Sequence, residues 1–299
     1  MSTQVVEPTD HEFAIGLALL ERAFAEDLGP DDVDLTAVAV RGHRMAAVLV
    51  ARQDGVVCGL ALAAEAFRMR GAANVRATAF DGQRVSAGER LLEVDGDAAA
   101  LLSAERTALN VLQRLSGVAT LTRQYVDAIG TAGAQVLDTR KTQPGERALQ
   151  RWAVRCGGGT NHRFGLFDEA MLKDNHIAVC GGIAPAVTRI RDAHPGVRIH
   201  VEADTLEQVD EAVAAGADVI LLDNMTNEQL RDAVRRIDAR ALSEASGGVT
   251  LDTVAAIAQT GVDRISVGAL THSAPAFDCA LDADMRVGSS EGRTGTAGS

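Results

Sequence analysis

The chain has 299 residues, 46% of them hydrophobic and 3% aromatic, with a formal net charge of −12. Such an acidic, aromatic-poor composition excludes a nucleic-acid binder, which needs a basic face and stacking platforms. The absence of any uninterrupted run of about 18 apolar residues excludes a helical membrane span. Cys58, Cys156, Cys180 and Cys279 are far apart and form no CxxC pair. Free thiols in a reducing cytoplasm are therefore expected, with neither a disulfide framework nor a zinc site. The opening segment MSTQVVEPTDHEF has no basic stretch followed by an apolar run, so no secretory signal is expected.

In the first third, residues 51–67 and 78–96 read as short strands with glycine turns. DGQRVSAGERLLEV within the second stretch reads as a hairpin. Residues 101–131 form a long amphipathic helical stretch, predicted to break near Ser116-Gly117 and to bridge two domains. An α+β domain is predicted over 1–116 and a second domain over 117–270.

A basic island follows. Between Arg140 and Arg163 lie six Lys or Arg residues (Arg140, Lys141, Arg147, Arg151, Arg155, Arg163) against one acid, Glu146. His162 can add charge. The chain has only two lysines, Lys141 and Lys173, beside 27 arginines. A lysine ammonium is a compact point charge whose pKa can shift, unlike a fixed guanidinium fork. A local cluster of cations in an acidic chain predicts a small ligand rich in carboxylate or phosphate.

From residue 197 a βα rhythm sets in. Strands are predicted at 197–204, 217–224, 241–246 and 262–270, with helices at 205–216, 227–239 and 250–261. Each unit takes roughly 22 residues, as short crossover loops require. Gly216 and Gly261 occupy matching helix-to-strand turns. Repeated βα units predict a parallel sheet closed as a barrel. The open doubly wound alternative lacks its GxGxxG. Polar residues gather at the strand C-termini: Glu202 and Asp204, Asp223 and Asn224, Ser246-Gly247-Gly248, then Gly268 and His272. Barrels place active sites on that face. Asp204 reads as a cap of the next helix, whereas Glu202 and Asp223 read as functional. Residues 286–299 are Gly/Ser/Thr-rich and are expected to be a disordered tail.

SAERTALNVLQRLSGVAT, DTRKTQPGERALQRWAVRCGGGTNHRFGLFDEAMLKDNH, VILLDN, EASGG and SVGALTHS occur in this order. In sequence and spacing they resemble the quinolinate phosphoribosyltransferases over about residues 20–285. The resemblance implies a sandwich-like N-terminal α+β domain and an open, incomplete α/β barrel. Residues 271–285 would pack back on the first domain. It implies a homodimer or higher oligomer that converts quinolinate and 5-phosphoribosyl-1-pyrophosphate into nicotinate mononucleotide, pyrophosphate and CO2 with Mg2+.

By the family pattern Arg140, His162, Arg163 and Lys173 surround the quinolinate carboxylates. Lys141 reaches the pyrophosphate. Arg106 enters the neighbouring subunit's site. Glu202 and Asp223 hold Mg2+ and ribose hydroxyls. Ser246, Gly247, Gly248 and Gly268 cradle the 5′-phosphate, with His272 nearby. Three positions depart from that pattern. His200 replaces the first acid of the usual EVE, and Gln143 and Glu146 stand where Thr and Leu are usual. Glu146 would add an acid near an acidic substrate, which suggests a paralogue for another pyridine acid. Other readings are a nicotinate phosphoribosyltransferase, a Schiff-base aldolase with Lys173 as nucleophile, and a silent binding protein.

Overall fold

The computed structural model describes residues 5–283, so the tail expected over 286–299 lies outside the described residues. These residues form two compact units, one running to Gly117 and resuming at Ala276, the other Val118–Pro275. The first unit contains α1 (Asp10–Leu28), β1 (Arg44–Ala51), β2 (Gly55–Val56), α2 (Leu60–Met69), β3 (Asn74–Ala77), β4 (Arg84–Val85) and β5 (Arg90–Asp97). Helix α3 (Ala98–Ile129) runs from the first unit into the second. The second unit continues with β6 (Gln135–Leu137), α4 (Arg147–Cys156), β7 (Ala170–Leu172), α5 (Asp174–Cys180) and α6 (Ile183–Ala193). Then come β8 (Ile199–Ala203), α7 (Leu206–Ala214), β9 (Val219–Asp223), α8 (Asn227–Ile237), β10 (Leu242–Ser246), α9 (Leu251–Ala258), β11 (Arg264–Ser266) and α10 (Ala269–His272). Strand β12 (Cys279–Ala283) returns to the first unit.

The sheet of the first unit has the order β12-β1-β5-β3, with antiparallel neighbours. Buried Ala63, Ala66 and Phe67 lie on α2, whose neighbours include β3 and β5. Three local expectations fail here. Leu60–Met69 is a helix, not strand and turn. Its N-cap, Gly59, has no capping side chain, and the amides of Leu60 and Ala61 donate instead to Asp81 at 3.0 and 3.5 Å. A cap that lies 21 residues away leaves no mark on the local sequence. Segment 81–94 is no hairpin either, because β4 pairs with β2 while β5 pairs with β1 and β3. Helix α3 passes unbroken through Ser116-Gly117. The Ser116 hydroxyl accepts from Cys58 N at 3.0 Å and donates to Cys58 O at 3.1 Å. It thus anchors a loop instead of competing with its own helix.

The second unit is built on a parallel sheet in the order β6-β11-β10-β9-β8-β7. Its interior-spaced apolar residues, such as Ile199, Val201 and Ala203, are buried. The order is that of a barrel cut between β6 and β7, the two edges. At that seam an isolated bridge joins Leu137 to Thr160. The barrel is therefore open, as expected. Short caps restart each helix: Thr205 with Gln208 and Thr226 with Gln229 form capping boxes. Asp204 is thus not the cap of α7; Thr205 is.

The glycines of 157–159 let α4 end against α3. A Cβ on Gly157 would lie 2.5 Å from the Ala119 carbonyl oxygen. One on Gly159 would lie 2.8 Å from Thr122 Cγ2 and from Val154 Cγ1. This close approach delivers Thr160 to the seam and the next three residues to the strand ends. Gly157→Ala is expected to cost about 1–3 kcal/mol, the usual penalty for overpacking. Urea denaturation measures it, and an unchanged midpoint would show that the contact relaxes freely.

Candidate active site

Parallel strands send all their C-termini to one side. A cavity of about 390 Å³ lies there. Its basic lining is Arg140, Lys141, His162, Arg163 and Lys173; its acidic lining is Glu202, Asp223 and Glu244. Thr139, Ser246 and Ser266 add hydroxyls, and Met171 and Leu221 add apolar surface. Eight predicted site residues thus meet in one place.

Asp138 clamps the two basic motifs together. Its buried carboxylate accepts from His162 N at 2.7 Å and Asn161 Nδ2 at 2.6 Å, with Arg151 Nη1 3.7 Å away. Burial pushes its pKa up, and the Arg151 charge opposes that. The arginines of α4 also serve the scaffold. Arg147 donates to Phe164 O at 2.9 Å, Arg151 donates to His162 O, and Arg155 donates to Asn161 Oδ1 at 3.2 Å. The guanidiniums of Arg147 and Arg151 also lie 5.9 and 5.3 Å from the Phe164 ring centroid. The basic island therefore divides: Arg147, Arg151 and Arg155 hold the loop, while Arg140, Lys141 and Arg163 line the cavity.

Among the described residues, Arg140 and Lys141 have no acidic partner. Arg163 is buried and donates to Glu169 O at 3.0 Å. Burial and then the Arg140 charge lower its pKa. Two like charges confronting each other in a cavity are destabilising until an anion enters. Lys173 is different. Its Nζ lies 2.7 Å from Glu202 Oε2, with side chains 49% and 15% exposed. An ion-paired, half-exposed ammonium is no activated amine, which removes the ground for the aldolase reading.

Glu202 is the last but one residue of β8, and Asp223 ends β9. Burial first, then Glu202 and Asp204, raise the pKa of Asp223. Asn224 Nδ2 donates to Asp223 Oδ2 at 2.6 Å. Beyond β10, Gly247 and Gly248 take φ of 96° and 59°. A Cβ on Gly247 would lie 2.9 Å from Asn224 N, so the two loops can meet only at glycine. A Cβ on Gly268 would stand 3.1 Å from Lys141 Cδ and from His272 Nε2. Arg106 is exposed on α3 and does not line the cavity, and neither do Gln143 and Glu146.

Below these groups lies a buried cluster. Arg163 N donates to His162 Nδ1 at 2.6 Å. That assigns the lone pair to Nδ1 and the hydrogen to Nε2, which lies 3.1 Å from Glu244 Oε1. Ser266 Oγ donates to the same oxygen at 2.5 Å. The ring of His200 stands 5.1 Å from that of His162. His162, His200 and Glu244 bring potential ligand atoms within 4.8 Å of one another. With its single lone pair already engaged, His162 is a hydrogen-bonded orienting group and a poor metal ligand.

Glu244, Ser266, Thr139, Met171 and Leu221 were not foreseen from sequence. A carboxylate in the middle of LSEAS, flanked by residues bound for the core, was the available signal for Glu244.

Residues 118–282 match the C-terminal domain of quinolinate phosphoribosyl transferase, and residues 32–116 match its N-terminal domain. This chain belongs to the quinolinate phosphoribosyltransferase family. A Bacillus subtilis relative named probable nicotinate-nucleotide pyrophosphorylase [carboxylating] is 45% identical, covering 89% of this chain and 93% of its own. The Mycobacterium leprae nicotinate-nucleotide pyrophosphorylase [carboxylating] is 43% identical, covering 92% and 99%. The nicotinate-nucleotide pyrophosphorylase structure from Francisella tularensis superposes with a TM-score of 0.88 at 37% identity, covering 94% of this chain and all (100%) of that one. Human nicotinic acid phosphoribosyltransferase shares the fold alone, at 13% identity, TM-score 0.57 and coverage of 92% and 74%.

Glu244 sits below the usual carboxylate range: burial raises it, but donation from His162 and Ser266 outweighs that. A depressed folded pKa contributes stability above the ordinary value of 4.5 that is lost as pH falls through the folded value. Glu244→Gln is therefore expected to be less stable than the parent at pH 7, and the gap should narrow below pH ~4.5. Thermal melts across pH test this; a constant gap would mean that the carboxylate charge is not engaged.

Proposed function

We infer that the chain transfers phosphoribosyl from 5-phosphoribosyl-1-pyrophosphate to quinolinate with decarboxylation, yielding nicotinate mononucleotide, pyrophosphate and CO2. The observation that carries this is the set of cavity cations without acidic partners, Arg140 and Lys141, beside buried Arg163. A dianionic ring and a pyrophosphate ester need cations that are not already neutralised.

Arg140 and Arg163 pair with the two ring carboxylates, and guanidinium forks fix the ring plane and so the direction of its nitrogen. Lys173 lines the same cavity, and His162, whose Nε2–H is taken by Glu244, acts on that pocket by holding Arg163 N through Nδ1. The C1–O bond to pyrophosphate breaks with its electron pair leaving on oxygen, and Lys141 meets that charge. The pyridine nitrogen gives its pair to C1. The C2–carboxylate bond then breaks, its electrons pass toward the cationic ring nitrogen, and a proton replaces CO2 at C2. Stabilising these charges is electrostatic work that preorganised cations perform without a covalent nucleophile.

Glu202 and Asp223 are the residues that would hold Mg2+. They suit a hard cation that takes one or two protein carboxylates, and burial, then the charge of Glu202, raises Asp223. When bound, Mg2+ supplies neutralisation of the pyrophosphate charge. The amides at Ser246, Gly247, Gly248 and Gly268 receive the 5′-phosphate, with His272 at the edge. Exposed Arg106 completes the site of a neighbouring copy in a homodimer. The free cysteines fit a cytoplasmic setting, and no helix among the described residues is long and apolar enough to cross a membrane.

Quinolinate labelled at the 2-carboxylate is expected to release labelled CO2 together with nicotinate mononucleotide, and chelation of Mg2+ should stop it. Product formed from nicotinate instead, with no label released, would assign the chain to a monocarboxylate substrate. Lys141→Met is expected to lower turnover about 10²-fold while quinolinate still binds in calorimetry. Loss of quinolinate binding in that variant would move Lys141 from the pyrophosphate to the ring.

A further inference from the structure

His200 is fully buried in the middle of β8 and does not line the cavity. Its Nε2 lies 2.8 Å from Glu169 Oε2. Glu169 is the last residue of the loop between Arg163 and β7. Its other carboxylate oxygen accepts from Arg198 Nη1 at 3.2 Å, and its main-chain carbonyl accepts from Arg163 Nη1 at 3.0 Å. The loop is closed internally by Asp168, which accepts from the amides of Phe164 and Gly165. Nothing in that closure ties the loop to the sheet; Glu169 does, through His200 and Arg198. On its other side the His200 ring stands 5.1 Å from the His162 ring, tilted by 33°.

We propose that His200 is a positioning residue for substrate affinity: through Glu169 it fixes the guanidinium of Arg163, and through ring contact it fixes the imidazole of His162. A ring whose Nε2 meets a carboxylate at 2.8 Å has one orientation, because the reversed ring would put Cε1–H in place of Nε2. That orientation passes to Arg163, which meets a ring carboxylate, and to His162, which holds the Arg163 amide. Neither the pyrophosphate side, with Lys141, nor the acids Glu202 and Asp223 is reached by these contacts. The effect therefore falls on the pyridine acid alone.

The proposal rests on quinolinate being the acceptor, and its test separates the two. His200→Phe keeps a ring and loses the donor; His200→Gln keeps a donor where Nε2 stood and loses the ring. With His200→Phe the quinolinate KM and calorimetric Kd are expected to rise about 10-fold or more, as when a positioned group shifts. The KM for 5-phosphoribosyl-1-pyrophosphate and kcat should stay within about 2-fold, and His200→Gln should recover most of the quinolinate affinity. Glu169→Gln should give the same selective loss, and combining it with His200→Phe should add little further.

Equal losses for both substrates, or an unchanged quinolinate Kd in a folded His200→Phe protein, would overturn the proposal. If His200→Phe does not fold, Glu169→Gln decides: an unchanged quinolinate Kd overturns, and a selective rise supports. Wild-type protein that binds quinolinate but releases no CO2 would sink the assigned reaction, while the Kd comparison would still decide the role of His200. Wild-type protein that does not bind quinolinate overturns both.

Discussion

The site depends on holding Arg140 and Arg163 near each other without neutralising them. Burial and then the Arg140 charge lower the pKa of Arg163. A fold can sustain that only if the backbone around both is over-determined. Asp138 does much of this, since one buried carboxylate receives His162 N and Asn161 Nδ2 and lies two residues before Arg140. The arginines of α4 add donors to the carbonyls of Arg140, His162 and Phe164. Arg140, which has no acidic partner among the described residues, and Arg163, held only through the Glu169 carbonyl, are thus supported by the α4 arginines behind the cavity.

What could be read from the sequence was whatever periodicity and local chemistry encode. The βα units of the second half repeat at a fixed spacing, and their strand ends carry Glu202, Asp223 and Ser246 into the cavity. Helix α2 was invisible because Asp81 caps it from outside the segment. The bend expected at Ser116-Gly117 does not occur because Cys58 takes up the serine hydroxyl. At the site, counting charge located the basic island but could not say which cations were engaged. That division depends on contacts between α4 and the loop that follows it, which only the fold supplies. Glu244 was overlooked because alternation in a short strand looks ordinary until its neighbours, His162 and Ser266, are known.

The departures from the family pattern also change meaning in three dimensions. Glu146 suggested an acid beside an acidic substrate, but neither it nor Gln143 lines the cavity. His200 suggested a lost acid, yet its ring is bonded to Glu169, so a carboxylate is still present in that layer, on another strand's approach. These observations weigh against a change of substrate and leave the dicarboxylate reading intact.

On this reading, Arg140 and Arg163 are matched to two carboxylates on one ring. Calorimetric titration with quinolinate and, separately, with nicotinate tests it most directly. Quinolinate is expected to bind tighter by at least about 10-fold, the worth of one charge-assisted pair, and salt is expected to weaken its binding more than that of nicotinate. Equal affinities with equal salt dependence would mean that only one guanidinium meets the substrate, and the claim would fail.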